Sequence, residues 1–149
     1  MRVSIWATLI PVIGVEDLER TTRFYTEALG FALVHGAGAG GGKPAFAHLR
    51  HGAVELVVYA LDPDTIGMMD RVGRKKMHLY IAVSDVDALS AELRIRRIRV
   101  SPPVNVGDGR YCDVEDPDGY LLRFGNQLRP VPFDNRLLIP RVSGEPYLS

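Results

Sequence analysis

Residues 15–31 read VEDLERTTRFYTEALGF and predict one short helix together with both of its ends. Asp17 stands at the N-cap position, where its carboxylate can accept a hydrogen bond from a free N–H group of the first turn. The inward side of the helix is marked by residues at helical spacing: Leu18, Thr22, Tyr25 and Leu29. Gly30 suits the C-cap, because glycine readily adopts the left-handed conformation that ends many helices.

The beginning of this helix recurs in the second half of the chain. Residues 83–86 repeat the pattern of residues 15–18 at an offset of 68, which is the distance from Asp17 to Asp85. Around both copies, the order of predicted elements is a strand, a helix and then three strands. A repeated unit of this size is too small to bury its own sheet, so we expect the two copies to pack together as one domain.

Apolar runs and turn signals predict the strands around the two helices. They are expected at 5–13, 31–34, 45–49 and 53–61 in the first copy, and at 77–83, 98–100, 110–114 and 120–124 in the second. The modules thus span about 5–61 and 76–127, joined by a short linker with one helical turn. The glycine-rich stretch 36–42 predicts a flexible connection or a flap. Four prolines in 129–149 predict a C-terminal arm that lies on a surface.

Composition excludes several classes of function. The 149 residues carry 18 Lys and Arg against 18 Asp and Glu, so the formal net charge is zero. This balance argues against binding to nucleic acid or to an anionic membrane, because both attract a basic surface. The single cysteine, Cys112, excludes an internal disulfide and a thiolate metal cluster, and it is typical of a reducing compartment. With no signal sequence or spanning segment visible, we expect a cytoplasmic protein.

Two stretches resemble one protein family. Residues 15–31 are similar to the first helix of the vicinal oxygen chelate superfamily, V-x-D-x-x-x-x-x-x-F-Y-x-x-x-L-G-F. Residues 115–124, EDPDGYLLRF, are similar to its closing hairpin, D-P-D-G-x-x-x-E/R-F. The superfamily includes glyoxalase I, extradiol dioxygenases, fosfomycin-resistance transferases and bleomycin-resistance proteins. The resemblance implies an α+β fold in which two βαβββ modules form a curved mixed sheet around a shared cavity, often within a homodimer.

Metal-dependent members of this family hold a divalent ion with four ligands from the first and last strands of each module. The resemblance places these positions at Ile10, Glu55, His78 and Arg123, and the offset of 68 relates the first to the third and the second to the fourth. Isoleucine offers no lone pair and a guanidinium repels a cation, so two of the positions cannot bind a metal. We expect no bound metal; the alternative is zinc, nickel or iron in a site that another side chain completes.

Arg123 admits two interpretations. In the first, it forms a buried ion pair with Glu55 in the place of a metal and has no contact with a ligand. In the second, which is similar to the bleomycin-resistance branch, Arg123 binds a carboxylate, phosphate or phenolate of a ligand while Glu55 accepts a hydrogen bond from a donor.

Strand alternation predicts which other residues share the cavity face. With Glu55 and Arg123, the candidate ligand-binding residues are Trp6, Ile10, Tyr59, His78 and Tyr80. For each aromatic residue taken alone, core packing is a more common role than contact with a ligand. A single histidine without a neighbouring nucleophile is typical of a hydrogen-bonded core position. The remaining histidines show no spacing that converges on a metal: His35, His48 and His51.

These patterns predict a metal-independent protein that binds a small molecule, such as an antibiotic, without transforming it. The alternative is a glyoxalase-like lyase or a dioxygenase-related enzyme with a displaced metal site, in which Glu55 and His78 supply acid–base chemistry. A third interpretation is a domain whose cavity is a packed core.

Overall fold

A computed structural model describes residues 7–38, 44–72 and 77–127 of the chain. The predictions on Trp6, on the glycines beyond Gly38 and on the arm at 129–149 lie outside the described residues. The chain divides into two compact units between Ile66 and Gly67. Each unit contains a four-stranded mixed sheet, so the architecture is α+β as predicted.

The first unit places a helical segment against one face of its sheet. Its elements are β1 (Val12–Val15), α1 (Leu18–Arg23), a π-helical turn (Phe24–Ala28), β2 (Ala32–Gly38), β3 (Pro44–His51) and β4 (Val54–Ala60). The strand order is β1-β4-β3-β2; β1 runs parallel to β4, and the other neighbours are antiparallel. Alternate residues of the sheet are buried together with Tyr25 of the π-helical turn: Ile13, Val15, Ala47, Leu49, Leu56 and Val58.

The second unit repeats this topology. The division between the units lies within α2 (Pro63–Val72), which is followed by β5 (His78–Ala82), α3 (Val86–Ile95), β6 (Val104–Val106), β7 (Gly109–Glu115) and β8 (Leu121–Gly125). The order β5-β8-β7-β6 again has one parallel pair, between β5 and β8. The core of this unit contains Val86, Leu93, Cys112, Val114, Leu122 and Phe124. Burial raises the pKa of the Cys112 thiol to about 12, so this cysteine is a protonated core residue.

The predicted helix and turn signals are confirmed. Asp17 accepts a hydrogen bond from the backbone N–H of Arg20 at 3.0 Å, and Asp85 accepts one from Ala88 at 2.9 Å. Gly30 follows the first helix with a φ of 77°. In the turn between β7 and β8, Oδ1 of Asp116 accepts two backbone hydrogen bonds, each of 2.9 Å, from residues 118 and 120.

Two predicted strands lie elsewhere along the chain. Among residues 7–13, only the last two belong to β1, because Pro11 has no N–H to donate; its carbonyl instead accepts a hydrogen bond from the N–H of Val57 at 2.9 Å. The second strand of the second module follows the Pro102-Pro103 pair as β6, and residues 98–100 contribute only an isolated bridge from Val100 to Val114.

Two connections are more regular than predicted. The linker contains the ten-residue helix α2 in place of a single turn. The first glycines of the stretch 36–42 continue β2 as far as Gly38, because the ladder to β3 supplies hydrogen-bond partners that a local sequence pattern does not show. No helix among residues 7–38, 44–72 and 77–127 is long and apolar enough to span a membrane.

Candidate functional site

The face of the first sheet opposite α1, here named face 1, is built from rows of cross-strand neighbours. The central row across the four strands contains Val12, Val57, His48 and His35. The row on one side of it contains Glu55 and Arg50, and the row on the other side contains Gly14, Tyr59 and Phe46. Face 1 therefore combines an ion pair, two histidines and two larger aromatic rings.

Glu55 is the centre of the polar cluster on face 1. Nε of Arg50 donates to Oε1 of Glu55 at 2.8 Å, and Nη2 of Arg50 lies 2.7 Å from the same oxygen in an ion pair. Nε2 of His48 lies 3.8 Å from the same oxygen, and the two side chains are only 22% and 19% exposed. This Nε2 is buried and has no hydrogen-bond partner in the described part of the chain. A buried polar group left in this state costs about 1–3 kcal/mol.

The corresponding face of the second sheet, opposite α3 and here named face 2, is organised around Arg123. Its Nε donates to Oδ1 of Asp113 at 2.8 Å and its Nη2 donates to Oδ2 at 2.9 Å, so the ion pair is bidentate. The two side chains are 0% and 4% exposed. The guanidinium carbon lies 3.9 Å from the centroid of the Tyr111 ring, which adds a cation–π contact.

Tyr80 completes face 2 beside this ion pair. It is the neighbour of Arg123 on β5, and its hydroxyl donates to the backbone carbonyl of Gln127 at 2.8 Å. Burial opposes the charge on Arg123, but the hydrogen bonds and charge of Asp113 outweigh burial and raise the pKa of the guanidinium. The predicted residues Tyr80, His78 and Arg123 thus share one face, with a permanent charge that is already compensated.

One of the two interpretations paired Arg123 with Glu55, but the structure gives these residues other partners. Each residue is paired within its own unit, Arg123 with Asp113 and Glu55 with Arg50. Directly opposite residues of an antiparallel pair have side chains within contact distance, which favours these partners over any more remote one. The predicted turn at 116–119 did not give this register: counting outward from four turn residues places Asp113 opposite Leu122. In the structure the backbone N–H of Asp116 donates to the carbonyl of Tyr120, and Asp113 lies opposite Arg123.

The relation between the two copies also differs from the prediction. The offset of 68 relates Val12 to Tyr80, but Val12 lies beside Val57 whereas Tyr80 lies beside Arg123. By ladder position, therefore, the counterpart of Arg123 is Val57 and not Glu55. Compared with β4 along β1, β8 is displaced by two residues along β5. A displacement by two residues keeps each side chain on the same face of the sheet. Alternation therefore predicted the faces correctly although the offset did not predict equivalent positions.

His78 is half-buried on face 2, two residues before Tyr80. Burial is the main cause that lowers the pKa of His78, the positive charge of Arg123 lowers it further, and Asp113 acts in the opposite direction. The lowered pKa favours the neutral imidazole, which is suited to hydrogen bonding and not to charge pairing.

The lowered pKa of His78 predicts how stability depends on pH. A histidine that binds protons less well in the folded state stabilises the fold above its unfolded pKa of about 6.5, and this contribution is lost as the pH falls through that value. We expect the free energy of unfolding to fall between pH 7.5 and 5.5, and to fall less in His78→Gln. Urea unfolding at both pH values measures this difference. An equal fall in both proteins would contradict the prediction.

The residues at the positions of the family's metal ligands do not together form a metal site. Ile10 lies ahead of β1 and offers no donor atom, and Arg123 is a cation already held by Asp113. Among the described residues, no three His, Cys, Asp or Glu side chains lie together in a way that could hold a metal ion. His48 lies near Glu55, which its position in the sequence did not indicate, but these two residues supply at most two donors.

Comparison with solved structures finds the same fold in several proteins. The bleomycin-binding protein from bleomycin-producing Streptomyces verticillus, solved with copper(II)-bleomycin, is 22% identical and has a TM-score of 0.64, over 82% of this chain and 97% of that one. A bleomycin resistance determinant encoded on the transposon Tn5 is 23% identical with a TM-score of 0.63, over 83% and 100%. An antibiotic binding protein from a Streptomyces species is 24% identical with a TM-score of 0.62, over 83% and 97%.

A family model provides the assignment. Comparison with curated protein sequences yields no match. The model of the glyoxalase/bleomycin resistance protein/dioxygenase superfamily, however, matches residues 8–124, which include every described strand but the final residue of β8. The two sheets with one parallel pair each, the two capped helices and this match lead to one conclusion: the chain belongs to the glyoxalase/bleomycin resistance protein/dioxygenase superfamily.

Proposed function

We propose that this protein binds a small molecule of the antibiotic class without a metal ion and without transforming it. The observation that carries the proposal is the buried ion pair between Arg123 and Asp113. It stands at the position where the family motif would supply a metal ligand, and its charges are already compensated. A cation would have to displace a bidentate, desolvated pair to bind there.

The chemistry of face 1 supports binding in preference to catalysis. Tyr59 and Phe46 are half-buried neighbours on adjacent strands, next to the apolar side chain of Val57. Aromatic and apolar surface with a few polar groups is typical of sites that bind small molecules. The three solved proteins compared above, two of which bind or resist bleomycin and one of which binds an antibiotic, support the same class of ligand.

We further propose that the protein acts as a homodimer in the cytoplasm. The edge strand β2 exposes Leu33 and Val34 by 55% and 45%, and an apolar edge strand is suited to pairing with a second chain. Light scattering coupled to size exclusion tests this part of the proposal, which a monomer at micromolar concentration would contradict.

The binding proposal predicts a thermal shift with metal-free bleomycin or with a planar aromatic antibiotic. A ligand present at 100 times its Kd stabilises the folded state by about 2.7 kcal/mol. For a chain of this size, the expected rise in Tm is about 5–10 °C. The measurement is made in the presence of EDTA, and the mass of the recovered antibiotic is expected to be unchanged.

Three results would contradict the proposal. The first is the absence of a shift with every antibiotic of the panel, and the second is a shift that requires added zinc, nickel or iron. The third is a chemically altered antibiotic after incubation, which would favour the glyoxalase-like or dioxygenase-related alternative.

A further inference from the structure

We propose that face 1 recognises a hydrogen-bond donor on an aromatic ligand, through His48 and Glu55, while Tyr59 and Phe46 contact its ring. This inference rests on the proposed function and names the chemistry of its ligand. In this proposal the ligand donates a hydrogen bond to the protein. The interpretation of Arg123 as a ligand-binding residue instead required the ligand to supply an anion.

The acceptor atoms of face 1 are only partly used. The hydrogen bond and the ion-pair contact from Arg50 both reach Oε1 of Glu55, and Oε2 accepts no hydrogen bond from the described residues. Nε2 of His48 is buried without a partner in the same part of the chain, and it accepts a hydrogen bond when Nδ1 carries the proton. Because Nε2 lies 3.8 Å from Oε1, one donor atom placed between the two residues can reach both at about 2.9 Å.

The aromatic residues lie at a suitable distance from this cluster. His48 occupies the central row of face 1, and the Tyr59–Phe46 pair occupies the next row along the strands. Successive rows on one face are two residues apart, or about 7 Å. A ring that lies against Tyr59 and Phe46 therefore places a short side chain with an amine beside His48 and Glu55.

The contacts of Arg123 on face 2 argue against recognition of an anionic ligand there. Both Nε and Nη2 of Arg123 donate to Asp113, and the two side chains are almost fully buried. The guanidinium also contacts the ring of Tyr111. An anionic ligand would have to separate this pair. In contrast, a donor that approaches Glu55 adds a hydrogen bond without breaking the one from Arg50, whose side chain is half exposed.

The test uses two probes that share a ring and differ in polarity, tryptamine and indole-3-acetate. Ligand-observed NMR titration measures their affinity for the wild-type protein, Glu55→Gln and His48→Asn. We expect tryptamine to bind more tightly than indole-3-acetate, and each substitution to weaken tryptamine by about tenfold, as expected for a lost hydrogen bond that involves a charge.

The controls are matched to these substitutions. Glu27→Gln alters an exposed ion pair on the helical segment, and His51→Asn alters a histidine on the same strand as His48 whose ring contacts Phe31. Both are expected to change tryptamine affinity by less than about twofold. Circular dichroism melts verify that each variant is folded.

The outcomes separate this inference from the proposed function. Tighter binding of indole-3-acetate, binding of neither probe, or tryptamine affinities unchanged by both substitutions would overturn the inference. If an antibiotic shifts the Tm equally in the wild type, Glu55→Gln and His48→Asn, the proposed function stands and the inference fails. If no antibiotic binds, the proposed function fails, and the two probes still decide whether face 1 recognises a donor.

Discussion

Replacement of Asp113 by alanine is expected to destabilise the protein by about 3–5 kcal/mol, because it leaves the guanidinium of Arg123 buried without its compensating charge. Arg123 is completely buried, and two of its nitrogens donate to the carboxylate that this substitution removes. Equilibrium unfolding in urea, followed by circular dichroism, measures the loss. The effect is large because the cost is that of a stranded charge and not only that of a missing hydrogen bond.

The double substitution Arg123→Leu with Asp113→Leu tests whether the loss of stability comes from the unpaired charge. Replacing both members of a buried ion pair by apolar residues is commonly neutral or stabilising, so we expect most of the loss to be recovered. Arg23→Ala serves as the exposed control, since its ion pair with Glu27 has side chains that are 65% and 71% exposed. Such pairs contribute at most about 1 kcal/mol. A cost for Asp113→Ala no greater than that of Arg23→Ala would show that the buried pair is not formed in solution.

Tyr25→Ala, a substitution in the first unit, is expected to lower the free energy of unfolding by about 3–5 kcal/mol. Tyr25 is completely buried, and its ring makes edge-to-face contacts with Phe24 at 5.4 Å and with Phe31 at 5.5 Å between centroids. The substitution removes the ring around which the π-helical turn packs against the sheet, and the rigid backbone cannot close the resulting cavity. Urea unfolding measures the change. Tyr25→Phe keeps the ring and is the control; losses that agree within about 1 kcal/mol for the two variants would exclude a packing role for the ring.

The two units show how the copies of a repeat can diverge in chemistry while the topology is retained. Both have one parallel strand pair, a capped helix on one side and polar residues on the other. On face 2 the central charge is fully compensated by Asp113. On face 1 the carboxylate of Glu55 keeps one oxygen without a partner among the described residues, and His48 lies beside it. The proposed recognition of a ligand therefore belongs to the first copy.

The position of His48 illustrates what its place in the sequence could not show. His48 and Glu55 are seven residues apart on different strands, with the turn at Gly52 between them. Their proximity depends on the register of the hairpin, in which Arg50 lies opposite Glu55 and His48 opposite Val57. Histidine spacing along the chain contains no information on that register, so spacing alone does not predict that His48 lies beside Glu55.

The sequence by itself determined the local structure: the caps at Asp17 and Asp85, the turn at 116–119, and which residues of each strand share a face. These features depend on interactions between residues that are near one another in the chain, or on the strict alternation of side chains along a strand. Only the tertiary structure decided which charges meet, since the partners of Arg123 and Glu55 are set by ladder register. A register that is displaced by two residues leaves the hydrophobic pattern of a strand unchanged but gives every charge a new neighbour.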